Sequence, residues 1–119
     1  MESTLSVSLD TASSGENFEV IKFVGEFDKA GHTDVKEELE KMIKAFDKSF
    51  LVFDFSALKF INSEGIGYLM EVHAHLMKSD KKLVIVGVND HVSDVFETIG
   101  VQEIIALYPS LSDFKNKIS

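Results

Sequence analysis

Asn62-Ser63-Glu64-Gly65-Ile66-Gly67 is the stretch best placed for chemistry, set between a continuous apolar run and a strongly amphipathic segment. A Ser or Asn at the start of a helix has two uses. Its side-chain oxygen can cap the helix by accepting from a free backbone N–H, worth ~1 kcal/mol. Alternatively, the Ser63 hydroxyl stays exposed at the positive helix end, where an added phosphate is tolerated by the helix and strongly felt by anything that approaches. The two glycines form no phosphate cradle, because neither a GxGxxG nor a GxxxxGK[ST] pattern is present. A nucleophile elbow needs Gly-x-Ser-x-Gly, and Ile61 stands where its first glycine belongs.

The other candidates are weaker. Glu26, Asp28 and Asp54 offer carboxylates for an acid/base pair, though charged residues at loop ends are common. His73 and His75 are two residues apart, so on a helix they diverge by about 200° and cannot share an ion. His73 falls on the apolar face and reads as a packed imidazole. There is no cysteine, which removes disulfides, thiolate catalysis and Cys-based metal sites. No nucleophile–base pair and no metal or cofactor site is expected, so the chain reads as a binding protein without turnover. Replacing Glu26 and Asp28 is expected to alter affinity for a partner.

The elements that position these residues follow from periodicity. Leu5, Val7 and Leu9 alternate with polar residues, and Phe18 to Val24 forms a second strand closed by Gly25, so the two make an antiparallel hairpin. Val35, Leu39, Met42, Ile43 and Phe46 recur at helical spacing from about His32, with Thr33 or Asp34 as cap. Phe50–Phe53 is a buried strand ending at Asp54. Ile66, Leu69, Met70, His73, Leu76 and Met77 define a helix over Gly65–Met77, with both methionines as core filling. Leu83–Val86 is another buried strand, Val92 to Ile99 a short helix ended by Gly100, Ile104–Leu107 a last strand, and Leu111 to Ile118 a final helix behind Ser110. The order β-β-α-β-α-β-α-β-α predicts a single α/β domain over residues 1–119, its core about 5–118, with a mixed, mostly parallel sheet and helices packed on it. Phe50–Phe53 and Leu83–Val86 are expected as adjacent central parallel strands. Function belongs in the loops at the carboxyl ends of the strands: Gly25–Thr33, Ser56–Gly67 and Gly87–His91, side by side.

Charge narrows the partners. Twelve basic against twenty acidic residues gives −8, and all the basic residues are lysines. A chain so acidic repels phosphate backbones, so nucleic acid is not an expected partner. Residues 1–35 and 89–114 each carry −5, either a solvated acidic surface or a face for a basic protein. No apolar run approaches the ~20 residues of a membrane span, and Met1, Glu2, Ser3 and Thr4 show no leader pattern. A cytoplasmic protein is expected.

Val24-Gly25-Glu26-Phe27-Asp28, the stretch from Val52 to Gly67, and Leu83-Val84-Ile85-Val86-Gly87-Val88 together resemble the STAS-domain family, most closely the bacterial anti-sigma-factor antagonists. The similarity runs from about Leu5 to Ile118. It implies that Ser63 is the phosphoacceptor, and that the unphosphorylated protein binds a serine kinase which is also the anti-sigma factor. A serine/threonine phosphatase would reset the switch. Glu26, Asp28, Asn62, Glu64, Gly65 and Gly67 are then candidate partner contacts. Asn62 stands where the family usually has Asp, and Glu64 where it usually has Ser, Thr or Ala, so the local charge is kept in sum and shifted by two residues. The alternative within the family is a scaffold in another signalling complex, or an accessory subunit of a transport system.

Overall fold

The structure is a computed structural model that describes residues 4–119; of the stretch tested for a leader, Met1, Glu2 and Ser3 lie outside the described residues. Five strands form one sheet in the order β1 (Leu5–Leu9), β2 (Phe18–Phe27), β3 (Phe50–Ile61), β4 (Lys82–Val86) and β5 (Ala106–Tyr108). Only β1 runs antiparallel, to β2; every other neighbouring pair is parallel. Phe50–Asp54 pairs with Lys82–Val86, so the two buried strands are adjacent as the sequence predicts.

Strand periodicity divides the apolar residues between two cores. Ile21, Phe23, Leu51, Phe53, Leu83 and Ile85 face one side, where α1 (Lys29–Ala45), α2 (Ser63–Met77) and α3 (Asp90–Ile99) bury them. Val20, Val52, Val84 and Val86 face the other, covered by Phe114 of α4 (Leu111–Ile118). The alternation explains why β3 and β4 read as unbroken apolar runs: both faces are covered. Gly100 ends α3 in the left-handed conformation, at φ 91°.

Several boundaries differ from the sequence expectation. β2 continues through Gly25 to Phe27, and α1 begins at Lys29 with Asp28 as its cap, replacing Thr33 or Asp34. The Asp28 carboxylate accepts from the Gly31 N–H at 2.8 Å, which fixes the earlier start. β3 does not stop at Asp54. It stays paired with β2 to Ile61, because between the pairs Lys22–Asp54 and Val24–Ala57 it carries an extra residue, and again between Gly25–Leu58 and Glu26–Phe60. The buried side chains thus fall at Phe55, Leu58 and Ile61, a spacing of three that hides the strand. The last strand is Ala106–Tyr108, because Val101–Glu103 forms a 3₁₀ turn before it. Met77 is not core: it is 51% exposed, and Tyr68 and Val72 fill the face instead.

Candidate functional site

The carboxyl ends of β2 and β3 deliver the Asn62–Gly67 turn. The Asn62 N–H donates to the Phe27 carbonyl at 3.2 Å, tying the end of one strand to the end of the other. The Asn62 side-chain oxygen then accepts from the N–H groups of Glu64 (3.0 Å) and Gly65 (3.2 Å), so Asn62 is the cap of α2. Ser63 is its first helical residue. Its side chain is exposed, and its hydroxyl makes no hydrogen bond among the described residues.

The two glycines differ in kind. A Cβ on Gly65 would lie 2.7 Å from the Phe27 carbonyl oxygen and 2.7 Å from Ile61 Cγ1, so Gly65 lets α2 seat against the strand ends. Around Gly67 there is nothing within 4 Å; it faces a concavity of about 290 Å³ that it shares with Ser63, Glu64, Tyr68, Glu71 and His32. His32, Tyr68 and Glu71 were not singled out from the sequence. Glu71 was findable, four residues beyond the candidate Gly67 on the same helix face. His32 was not, because only the packing of α1 on α2 brings it there.

Tyr68 forms the inner wall. Its ring lies 4.4 Å from that of His32 and 6.1 Å from that of Phe27, centroid to centroid. Burial, with the charges of Glu40 and Glu71 adding to it, pushes the phenol pKa up to about 12. Tyr68 and Glu71 also line a second concavity of about 440 Å³ between α1 and α2, with Ile43 and Val72 as its apolar floor. His32 Nε2 and His73 Nδ1 are buried without a hydrogen-bond partner among the described residues.

The three carboxylates offered for acid/base work do not converge on one centre. Asp28 caps α1, and Asp54 accepts from the Ser56 N–H at 2.9 Å beside the first irregularity of β3. Glu26 is exposed on β2 opposite Phe60. The third predicted loop does adjoin the second: Asn89 donates from its side chain to the carbonyls of Leu58 (3.1 Å) and Lys59 (3.4 Å), in β3 ahead of the turn, while capping α3. Among the described residues no three His, Cys, Asp or Glu gather to hold a metal ion. No helix is long and apolar enough to cross a membrane.

The molecule is thus an α/β domain whose one antiparallel edge strand leads a parallel sheet, with a capped serine turn at the end of the central strand. The chain belongs to the STAS-domain family: the family model described as Mlab, STAS domain matches residues 11–108. No curated protein sequence matches it. Among solved structures it is similar to an anti-sigma-factor antagonist from Mycobacterium paratuberculosis, at TM-score 0.78 and 20% identity over 92% of this chain and 89% of that one. The anti-sigma-factor antagonist SpoIIAA in its unphosphorylated form gives 0.72 and 16%, over 93% and 95%. A sulfate transporter family protein from Wolinella succinogenes gives 0.71 and 15%, over 84% and 83%. At these identities the likeness is one of fold.

Proposed function

We propose that this protein is a phospho-switched binding module of the anti-sigma-factor-antagonist kind, with Ser63 as phosphoacceptor. In this reading it acts in the cytoplasm by association alone, on a serine kinase that is also an anti-sigma factor, and a serine/threonine phosphatase restores it. One observation carries the reading: Asn62 does the capping, which leaves the Ser63 hydroxyl uncommitted and exposed at the mouth of a concavity. A cap hydroxyl would be spent on the backbone; this one is presented. Glu64 and Gly67 share the concavity with it as candidate contacts, Glu26 is a further exposed candidate at the end of β2, Gly65 acts by seating α2, and Asp28 acts through the start of α1.

Phosphorylation adds about −1.5 to −2 charges at pH 7. Glu64 and Glu71 already line the concavity, so a partner seated there meets a much more negative surface after modification. A loss of ~3 kcal/mol weakens binding more than a hundredfold, enough for a switch. The fold tolerates the charge, because an anion at a helix N-terminus is favourable by about 0.3–1 kcal/mol. The test is phosphosite mapping on protein isolated from its own cells, beside pull-downs with wild type, Ser63→Ala and Ser63→Asp. Phosphate on Ser63, with a kinase retained by Ser63→Ala and released by Ser63→Asp, is the expected result. Phosphate confined to Ser56 or another residue, or identical capture by all three baits, overturns it. A second reading, an accessory subunit of a transport system, is favoured by the sulfate transporter family neighbour. It predicts capture of a transporter component irrespective of the state of Ser63.

A further inference from the structure

Helices α1 and α2 each return between successive parallel strands of one sheet, so they run side by side in the same direction. The furrow of about 440 Å³ between them is lined by one stripe from each. Glu40, Ile43 and Lys44 come from α1 at i, i+3 and i+4. Tyr68, Glu71, Val72 and His75 come from α2 at i, i+3, i+4 and i+7. Tyr68 shows how the stripes align. The charges of Glu40 and Glu71 both act on its phenol, adding to the larger effect of burial. The two carboxylates therefore stand at one level, on opposite walls. Lys44 follows Glu40 and His75 follows Glu71 after four residues, a rise of about 6 Å along each helix. The furrow is thus polarised along its length: an acidic level, then a basic one, with half-buried Ile43 and buried Val72 as the floor.

We propose that the α1–α2 furrow binds a small apolar zwitterion, its cationic end between Glu40 and Glu71 beside Tyr68 and its anionic end on Lys44 and His75. An ammonium at the acidic level meets two carboxylates and an aromatic side chain. A carboxylate at the basic level meets the Lys44 ammonium and an imidazole N–H. The body of the ligand covers Ile43 and Val72, and the volume is that of an ordinary small-molecule site. The separation of the two levels suits a dipeptide or an ω-amino acid, whose charged ends are several bonds apart. A polyanion would be repelled at the acidic level, and a plain cation would leave the basic level unanswered. An uncharged hydrocarbon would take water from these polar groups without pairing them. Within either helix, charged groups four residues apart attract only weakly at the surface, so they yield to a ligand. The site does not depend on the role given to Ser63, although Tyr68 and Glu71 also line the concavity beside that residue.

The probes are leucyl-leucine and aminocaproate, each titrated into the ¹⁵N-labelled full chain; they separate a peptide source from a free ω-amino acid. Saturable amide shifts along residues 40–44 and 68–75 with at least one of the two are expected. Blocking either end of the ligand that binds, by acetylation or by amidation, should weaken it at least tenfold. Glu40→Gln and Lys44→Gln, both at exposed positions, should each lower its affinity at least fivefold. Glu38→Gln should leave it unchanged, because that exposed position is turned about 200° from Glu40 on α1. No saturable binding of either zwitterion, undiminished binding of a blocked form, unaltered affinity in either variant, or shifts centred on another helix would overturn the proposal.

Discussion

Replacing each motif glycine by alanine should move stability in opposite directions. At Gly65 the new methyl would sit 2.7 Å from the Phe27 carbonyl oxygen. That oxygen cannot swing aside freely, because it accepts the Asn62 N–H at 3.2 Å. Either α2 lifts from the strand ends or the Phe27 peptide turns, and with Ile61 Cγ1 also at 2.7 Å and Phe27 Cδ1 at 3.0 Å the cost falls in the upper part of the overpacking range, ~2–3 kcal/mol. The better helix propensity of alanine returns about 1 kcal/mol, leaving a net loss of about 1–2 kcal/mol. At Gly67 the methyl meets nothing within 4 Å, so only the propensity gain remains, about 0.5–1 kcal/mol. At roughly 4 °C per kcal/mol for a domain this size, Gly67→Ala should melt ~2–4 °C above wild type and Gly65→Ala ~4–8 °C below it. Urea unfolding monitored by circular dichroism reads both, with unchanged m-values showing that the shifts are in stability alone. Two shifts of the same sign, or a Gly65→Ala protein as stable as wild type, would refute the packing argument.

The cap makes a separate prediction: Asn62→Ala should lose ~1 kcal/mol, and Asn62→Asp should stay within about 0.5 kcal/mol of wild type, because Asp accepts the same two N–H groups. Equal destabilisation by both in urea would place the stabilising contact elsewhere. Alkaline absorbance titration should show a tyrosinate step near pH 12 that Tyr68→Phe removes. Because folding raises this pKa from 10, the phenol's contribution to stability is intact below pH 10 and is lost as pH rises through 12. A loss of stability in that window that is unchanged in Tyr68→Phe would assign it to another group.

Strand and helix identity was legible wherever one periodicity held over several residues. Leu51 and Phe53 against Val52, and Leu83 and Ile85 against Val84, state both the strands and their two-sided burial. The second half of β3 was illegible because its two extra residues convert a period of two into the three-residue spacing of Phe55, Leu58 and Ile61. Asp28 looked like a loop carboxylate because the apolar face of α1 starts at Gly31, which contributes no hydrophobic side chain. Met77 misled for another reason: the buried stripe of α2 runs through Gly65, Tyr68, Leu69, Val72 and Leu76, and Met77 lies about 100° around the helix from Leu76, which is buried in the same last turn. For the site, Ser63 and its neighbours were readable as a motif. The wall that His32 and Tyr68 give them is a product of helix packing, which no local pattern encodes.

The unequal reach of β3 and β4 has a consequence for how the serine turn is handled by another molecule. Beyond Asp54 the ladder with β4 ends, and residues 55–61 hold to the sheet through β2 alone, with one Asn89 side chain on the open flank. Such a one-sided segment is held by its side chains: Phe55, Leu58 and Ile61 are at most 1% exposed in the main core, so it cannot leave the sheet without emptying that core. Any excursion of this backbone would expose those three side chains, besides breaking the β2 ladder and the two N–H bonds to Asn62. The serine turn is thus carried on a rigid arm, and a molecule that engages it must come to the surface rather than draw the strand out.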